Sequence, residues 1–151
     1  FFMENPFYVG ALILNPSNEI LLQRKDLGYP KKQFAGMWTT FGGAGNYGET
    51  PIEAFDREVC MEETGLEDLL DIKLFKIIDI DETKYGITHK PSKGSCHFFE
   101  CKFDGNLSKI KLREGAGFSV FDEKELKQIE NNSFPYVFEI IKRFYDSLRY
   151  R

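Results

Sequence analysis

"GGAGNYGETPIEAFDREVCMEETGL", residues 42–66, is the stretch that decides how the rest of this chain is interpreted. It opens with four glycines in seven residues, which allow the backbone to approach a ligand closely. Pro51 suits the first turn of a helix with Thr50 as its N-cap, and Gly65 suits the position just after the last turn. The stretch therefore predicts a glycine-rich loop followed by an acidic helix over residues 51–64.

The carboxylates of this helix indicate a metal site. Glu58 and Glu62 are four residues apart, so an α-helix places them on nearly the same face. Two carboxylates held so close repel each other unless a cation lies between them. Oxygen-rich clusters suit hard cations such as Mg2+ or Mn2+, and Mg2+ is often completed by substrate phosphates and water. A glycine loop followed by such a helix predicts a metal-bound di- or polyphosphate as the ligand.

An acidic helix can also be an ordinary solvated face. Glu49 and Glu53 fit that interpretation, because the helix dipole favours negative charge near the N-terminus. Glu58, Glu62 and Glu63 fit it less well, since they lie toward the C-terminal half. On this alternative the protein is a plain interaction domain that binds no divalent metal.

The segments around this stretch predict an α+β fold. Patterns of apolar residues and turn residues predict strands at residues 7–14, 20–25, 37–41, 72–81, 95–103 and 118–121. Asp122 suits the N-cap of a helix reaching residue 130, and residues 134–148 are amphipathic at helical spacing. The order predicts an α/β/α sandwich with a mixed β-sheet between helices.

Length and composition predict one soluble domain over residues 1–151, with Met3 as a candidate native start after Phe1 and Phe2. The 15 Phe and 7 Tyr predict an aromatic-rich core. The net charge of −4 argues against a nucleic acid polymer as partner, and no apolar run reaches the length of a membrane span, roughly 20 residues. The three cysteines, Cys60, Cys96 and Cys101, form no zinc pair and are interpreted as buried hydrophobes of a cytoplasmic protein.

The opening stretch resembles the signature of the Nudix hydrolases, the MutT-like family. That signature is a Gly, five residues, Glu, seven residues, Arg-Glu, an aliphatic residue, any residue, Glu-Glu, any residue, Gly and an aliphatic residue. Gly43, Glu49 and "REV" (residues 57–59) match its first part, and "EETGL" (residues 62–66) matches its last part. The flanking runs "ILLQRK", "GMWTTFGG" and "EGAGFSVFDEKEL" are similar to the family's flanking segments. Between the two parts, Cys60 and Met61 stand where the family has one residue.

The resemblance implies an Mg2+-dependent pyrophosphohydrolase, with Mn2+ as an alternative metal. Such enzymes cleave a phosphoanhydride in a nucleoside diphosphate linked to another moiety, X, by attack of water. On the residues that match, Glu58 and Glu62 would be metal ligands and Glu63 a ligand or base. The Gly43 carbonyl would also contribute to the metal site.

The remaining roles implied by the resemblance concern support and proton transfer. Arg57 would pair with Glu49, holding the loop against the helix and orienting Glu58. Glu114 and Glu100 are the candidates for a general base outside the motif, each with the alternative of an ordinary surface or strand residue.

The extra residue admits two helix geometries. A regular helix is the favoured interpretation: Glu62 keeps the four-residue step from Glu58, while Glu63 is rotated by about 140° and becomes a spectator. A one-residue π-bulge near residues 59–61 is the alternative, in which Glu62 and Glu63 both take their family places. The regular helix would also favour a catalytically weak Nudix module that binds a nucleotide as a sensor.

The substrate class is narrowed only by resemblance. The segment "GMWTTFGG", which leads into the motif, and the compact size of the chain are most similar to those of MutT-type hydrolases of nucleoside triphosphates, including oxidised ones. The expected partner is a small nucleotide, with a homodimer left open. Arg24 and Lys25 are candidate phosphate contacts, and Trp38 is either a base-stacking or a core residue. The basic segment 84–94 is either a loop that closes over an anionic substrate or a solvated loop.

Overall fold

The computed structural model describes residues 7–81, 93–113 and 115–151. Seven strands and three α-helices form its framework: β1 (Phe7–Leu14), β2 (Ile20–Arg24), β3 (Trp38–Thr39), β4 (Phe41–Ala44), α1 (Pro51–Phe55), β5 (Leu70–Asp81), β6 (Lys93–Lys102), β7 (Gly117–Phe121), α2 (Glu123–Leu126) and α3 (Pro135–Arg149). A π-helix, Asp56–Thr64, directly continues α1. Short 3-10 turns occupy Lys32–Phe34, Leu107–Lys109 and Lys127–Asn132.

Strand β1 lies at the centre of the sheet. Its apolar sequence allows burial on both faces, and it pairs in parallel with β6 along its whole length. The strand order is β3-β2-β1-β6-β5, while β4 pairs with β1 and β7 pairs with β2. The β1–β6 pair is parallel and the other pairs are antiparallel, so the predicted mixed sheet is confirmed.

Two apolar layers cover the two faces of this sheet. Leu12 and Leu14 of β1 pack in the layer that contains the buried face of α3. Ala11 and Ile13, which point the other way because side chains alternate along a strand, pack in the layer that contains Phe55 of α1. Both layers contain several buried phenylalanines, so the predicted aromatic-rich core and the α/β/α arrangement are both confirmed.

The glycine-rich stretch begins as a strand instead of a loop. The prediction of one strand over residues 37–41 is wrong in detail, because that region divides into β3 and β4. Strand β4 pairs antiparallel with β1 from Phe41 to Ala44. At Gly42 a β-carbon would lie 2.0 Å from the Val9 carbonyl oxygen, so only glycine allows the two strands to approach this closely. Tertiary pairing with β1 thus overrides the low strand preference of glycine.

The acidic helix begins as predicted. The Glu53 backbone N–H donates to Thr50 Oγ1 at 3.3 Å, and the Thr50 N–H donates to Glu53 Oε1 at 3.0 Å. This reciprocal capping box, with Pro51 in the first turn, fixes the start of α1.

The favoured interpretation of the rest of the helix as regular is wrong, because Asp56–Thr64 is a π-helix. In a π-helix, hydrogen bonds join residues five apart, so Glu58 and Glu63 occupy equivalent places on successive turns. The Thr64 hydroxyl follows the same spacing and donates to the Val59 carbonyl at 2.7 Å. Gly65, at φ 71°, ends the helix in the left-handed conformation.

The C-terminal part matches the predictions closely. Asp122 and Glu125 form a second capping box, although α2 ends at Leu126 and continues as a 3-10 turn instead of reaching residue 130 as an α-helix. Helix α3 begins and ends within one residue of the predicted amphipathic segment. Trp38 packs edge-on against Phe121 with ring centroids 4.9 Å apart, which supports its core role.

The three cysteines are buried and none forms a disulfide. Burial raises the pKa of the Cys60 thiol to about 11 and raises those of Cys96 and Cys101 further, so the prediction of buried hydrophobes is confirmed. Across the described ranges, none of the helices is both long and apolar enough to cross a membrane.

Candidate active site

Glu63 is the most deeply buried carboxylate of the acidic helix, with a relative exposure of 2%. Its Oε1 accepts the Gly42 backbone N–H at 2.8 Å, and its Oε2 accepts the Gln23 side-chain amide at 2.7 Å. Burial raises the pKa of Glu63 to about 7, against the opposing effects of the Gly42 and Gln23 hydrogen bonds and of the Lys25 charge. The π-helix therefore directs Glu63 into the protein, and it is not the spectator that a regular helix predicts.

Arg57 organises the outer side of the helix. Its Nε and Nη2 donate to the two oxygens of Glu49 at 2.7 and 2.9 Å. Nη2 also donates to the Ala44 carbonyl at 2.9 Å, which ties the helix to the end of β4. The Arg57 hydrogen bond lowers the pKa of Glu49 to about 2. These contacts agree with the predicted supporting role for the Glu49–Arg57 pair.

The remaining guanidinium nitrogen joins the other two carboxylates. Arg57 Nη1 donates to Glu58 Oε1 at 2.8 Å and to Glu62 Oε2 at 3.2 Å. The Glu58 side chain is 19% exposed, whereas that of Glu62 is 55% exposed. Glu62 therefore lies at the outer rim, and Met61 beside it is exposed as well.

Gly43 provides the space in which the Glu58 carboxylate lies. A β-carbon at Gly43 would be 2.5 Å from Glu58 Cδ and 2.6 Å from Glu58 Oε2, so any side chain there would displace the carboxylate. The Gly42 N–H binds the Glu63 carboxylate, and Gly43, which has no side chain, leaves room for the Glu58 carboxylate. The pair of carboxylates beside the glycines is thus Glu58 and Glu63, five residues apart.

The set of donors suits a hard divalent cation, although it is not assembled into a cage. Among the residues that the structure describes, no three His, Cys, Asp or Glu side chains lie close enough together to hold a metal ion. The Glu58 carboxylate nonetheless packs directly on Gly43, and the charge of Glu58 adds to the raised pKa of Glu63. Carboxylate oxygens such as those of this pair are the ligands that Mg2+ and Mn2+ prefer.

A cleft of about 290 Å³ shares the glycines of β4 with this carboxylate pair, although neither Glu58 nor Glu63 lines it. Ile80, Phe98 and Phe134 place much of its wall in the layer that contains α3. Gly42, Gly43 and Ala44 of β4 form the part of its wall next to the carboxylates. Aromatic rings and two lysines contribute to the remaining wall: Tyr8, Tyr29, Phe34, Phe98, Phe134, Tyr136, Lys25 and Lys31. A partly apolar cleft with a few convergent polar groups is typical of a small-molecule site.

Lys25 and Arg24, adjacent at the end of β2, have different surroundings. Lys25 lines the cleft, with Nζ 5.1 Å from the centre of the Tyr29 ring, and its charge acts on Glu63. Arg24 Nε donates to the Gly36 carbonyl at 2.9 Å, which indicates a supporting role. Of the two, Lys25 is the one placed to meet an anionic ligand in the cleft.

Of the two candidate bases outside the motif, the structure describes Glu100 but not Glu114. Glu100 is buried in a salt bridge with Arg151 and lies opposite Leu12, on the face of the sheet covered by α3. It therefore lies across the sheet from the acidic helix. Glu114 lies outside the described residues, as does nearly all of the basic segment 84–94.

Gln23 is a site residue that the sequence interpretation missed. It is 1% exposed and contacts Glu63 directly. Its signal was present in "ILLQR": Gln23 is a polar residue that shares its strand face with Leu21, which is fully buried. A polar side chain at an inward-facing strand position needs a buried partner.

Comparison with known proteins decides the family. The sequence model of the NUDIX domain matches residues 5–140. The chain belongs to the Nudix family. Its fold is similar to that of a MutT protein from Methanosarcina mazei Go1, which is 25% identical and aligns over 97% of this chain and 98% of that chain with a TM-score of 0.71.

Two further solved structures share the fold. A NUDIX hydrolase from Nitrosomonas europaea is 20% identical over 95% of this chain and 90% of that chain, with a TM-score of 0.72. A bifunctional NMN adenylyltransferase/ADP ribose pyrophosphatase from Francisella tularensis, complexed with AMP and Mn ion, is 19% identical over 97% of this chain and 42% of that chain, with a TM-score of 0.72. At the level of the family, the prediction of a pyrophosphohydrolase acting on nucleotide-derived substrates is confirmed.

Proposed function

We propose that this protein is a divalent-metal-dependent pyrophosphohydrolase that cleaves a phosphoanhydride bond in a nucleoside diphosphate linked to a group X. Nucleoside triphosphates and oxidised deoxynucleoside triphosphates are the first substrates to test. The observation that supports the proposal best is the Glu58–Glu63 pair, which lies beside Gly42 and Gly43 at the wall of an aromatic cleft.

In this proposal Glu58, Glu63 and the Gly43 carbonyl hold Mg2+ or Mn2+, and Glu62 contributes from the rim. A divalent ion there would neutralise phosphate charge and acidify a bound water. In the overall reaction the water oxygen bonds to phosphorus, and the bridging P–O bond breaks. The proton of the water goes to a base, and the products are a nucleoside monophosphate and a phosphorylated remainder.

The chain's own residues supply position and charge. Arg57 fixes Glu58 through Nη1 and fixes the loop through Glu49, so the carboxylate is held before a ligand arrives. Lys25 is placed to meet a phosphate, and the aromatic rings of the cleft offer apolar surfaces for a nucleobase. Burial raises the pKa of Glu63 to about 7 in the metal-free protein, so a divalent cation that binds there would have to displace a proton from this carboxyl group near neutral pH.

The test is phosphate release, coupled to a pyrophosphatase and a phosphatase, with and without Mg2+ and Mn2+. The panel contains dNTPs, 8-oxo-dGTP, ADP-ribose, sugar nucleotides and dinucleoside polyphosphates. We expect metal-dependent turnover of one class and its loss in Glu58→Gln. Glu130→Gln, the same change at an exposed glutamate of the C-terminal region, is the matched control and should retain full turnover. Equal turnover in Glu58→Gln and the wild type would contradict the assignment.

A catalytically weak nucleotide-binding module is the second candidate. One observation favours it: Arg57 contacts both Glu58 and Glu62, and the described residues contain no group of three metal-holding side chains. Calorimetry with Mn2+ and with AMP distinguishes the two candidates. Metal and nucleotide binding without turnover of any substrate would support the binding module.

A further inference from the structure

Gln23 connects three elements of the site. It belongs to β2, and its Nε2 donates to Glu63 Oε2 of the π-helix at 2.7 Å. The same nitrogen donates to the Thr40 carbonyl at 3.1 Å, directly before β4. Both hydrogens of the amide are therefore used, one on the carboxylate and one on the backbone beside the glycines.

These contacts fix the orientation of the amide. Glu63 Oε2 and the Thr40 carbonyl are both acceptors, so the group between them has to be the donor, Nε2. A flipped amide would place Oε1 against two acceptor oxygens. The oxygen Oε1 is consequently directed toward the Gly115 side, where a β-carbon at Gly115 would lie 3.4 Å away.

The cost of this arrangement argues against a purely structural role. Gln23 is 1% exposed, and its Oε1 has no hydrogen-bond partner among the described residues. A buried acceptor without a partner lowers stability, so part of what the two donated hydrogen bonds of Gln23 contribute to stability is lost again at Oε1. The neighbouring inward residue Leu21 shows that this face of β2 accepts apolar side chains.

We propose that Gln23 is a positioning residue for the reaction: it holds the Glu63 carboxylate, together with the Gly42 N–H, in the orientation that turnover requires. This inference rests on the proposed function, because it assigns Glu63 a part in the chemistry. Glu63 has two carboxylate oxygens and one neutral donor on each, so loss of Gln23 leaves Oε2 free to rotate around the single remaining contact.

The decisive variant is Gln23→Met, which keeps nearly the same length and volume but has no donor. We expect kcat to fall roughly 10- to 100-fold with KM little changed, as for the loss of one hydrogen bond to a charged group. The unfolding temperature of the metal-free variant should change little, because removal of the unpaired Oε1 offsets part of the cost of leaving Glu63 Oε2 and the Thr40 carbonyl without a donor. Gln128→Met, the same substitution at an exposed glutamine in the Lys127–Asn132 turn, should leave both kcat and the unfolding temperature unchanged.

The outcomes separate a positioning role from a structural one. An unchanged kcat in Gln23→Met would overturn the inference. A variant that fails to fold, or whose loss of kcat is no larger than the fraction unfolded at the assay temperature, would overturn it as well, because the residue would then serve stability. A loss of kcat at a temperature at which the variant is fully folded supports it.

A second readout keeps this inference distinct from the proposed function. If the wild-type protein turns over no substrate of the panel, the proposed function fails, and Mn2+ binding measured by calorimetry then decides the role of Gln23. Several-fold weaker Mn2+ binding by Gln23→Met would support positioning of Glu63. Equal affinity in the two proteins would overturn it.

Discussion

Glu63 and Glu100 are two buried carboxylates in opposite surroundings. Glu63, 2% exposed, is held by the neutral donors Gly42 N–H and Gln23 Nε2, and burial raises its pKa to about 7. Glu100 is 8% exposed and receives Nη1 and Nη2 of Arg151 at 2.6 and 2.8 Å. Burial alone would raise the pKa of Glu100, but Arg151, helped by Lys73, outweighs it and lowers that pKa.

On the proposed function, this difference separates a metal-binding carboxylate from a structural one. A carboxylate that is already neutralised by a bidentate arginine has little remaining attraction for a metal ion or a proton. A buried carboxylate with only neutral donors keeps both attractions, and such groups cluster at functional sites. Burial therefore does not distinguish Glu63 from Glu100. The charge of the hydrogen-bond partner does, because Glu63 has neutral donors and Glu100 has Arg151.

The largest expected difference is in turnover. Glu63→Gln should lower kcat by about 10³-fold, because it removes a charge from the proposed metal site. Glu100→Gln should leave kcat within about twofold, since Glu100 does not line the cleft and is already paired with Arg151. Phosphate release on the active substrate measures both, and equal losses in the two variants would remove the distinction.

The second expected effect is in the pH dependence of stability. The pKa of Glu63 is raised from 4.5 to about 7 in the folded protein, so folding favours its protonated form. Its contribution is complete below about pH 4.5 and is lost as the pH rises through 7, on the order of 3 kcal/mol in total. Urea unfolding with a chelator present, between pH 4.5 and 8, should show this decline in the wild type.

Glu63→Gln and Glu100→Gln serve as the two comparisons for that measurement. The first should flatten the decline, because glutamine does not titrate. The second should retain it, since the lowered pKa of Glu100 gives a contribution that is present above its ordinary pKa and lost only as the pH falls into the acid range. A decline that survives in Glu63→Gln would assign it to another group.

A smaller effect is expected at Arg151. Among the described residues, Arg151→Met leaves Glu100 with Lys73 as its salt-bridge partner, 3.6 Å away, and should reduce the free energy of unfolding by about 1–3 kcal/mol. Turnover should not change. The double variant Arg151→Met/Glu100→Gln should recover part of the loss, because no buried charge is then left unpaired. If the losses of unfolding free energy in the two single variants simply add in the double variant, the interaction between Arg151 and Glu100 contributes nothing to stability.

The smallest effect is expected at Glu62. Its side chain is 55% exposed and its described contact is with Arg57 at 3.2 Å, so Glu62→Gln should lower kcat by less than about tenfold. The value measured for Glu63→Gln under the same conditions is the reference. A larger loss for Glu62 than for Glu63 would contradict the ranking that the π-helix implies.

Much of the fold follows from local sequence. Strand β1, helix α3 and the start of α1 agree with their predictions because apolar periodicity and capping chemistry are local. Strand β4 was missed because its glycines have low strand preference, and only the close approach to Val9 explains them. That approach depends on β1 being the neighbour, which the local sequence does not contain.

The site was predictable in composition but not in geometry. The motif resemblance identifies Arg57, Glu58, Glu62 and Glu63, and all four lie on one helix beside the glycines. The choice between a regular helix and a π-helix depends on contacts far along the chain, above all those of Glu63 with Gln23 and Gly42. The spacing of residues within the helix raises both geometries but does not reveal these contacts.

The π-helix also bears on how such a chain tolerates insertions. In a regular helix, one added residue would turn everything after it by about 100°, moving Glu63 away from Gln23 and Thr64 away from Val59. Here the wider turn takes up the added residue within Asp56–Thr64, so Gly65 still ends the helix. Met61 is exposed, and its removal would return the spacing to that of an α-helix without disturbing the core. The wider turn thus lets this segment hold one more residue than an α-helix would, while Glu63 keeps its contacts with Gly42 and Gln23.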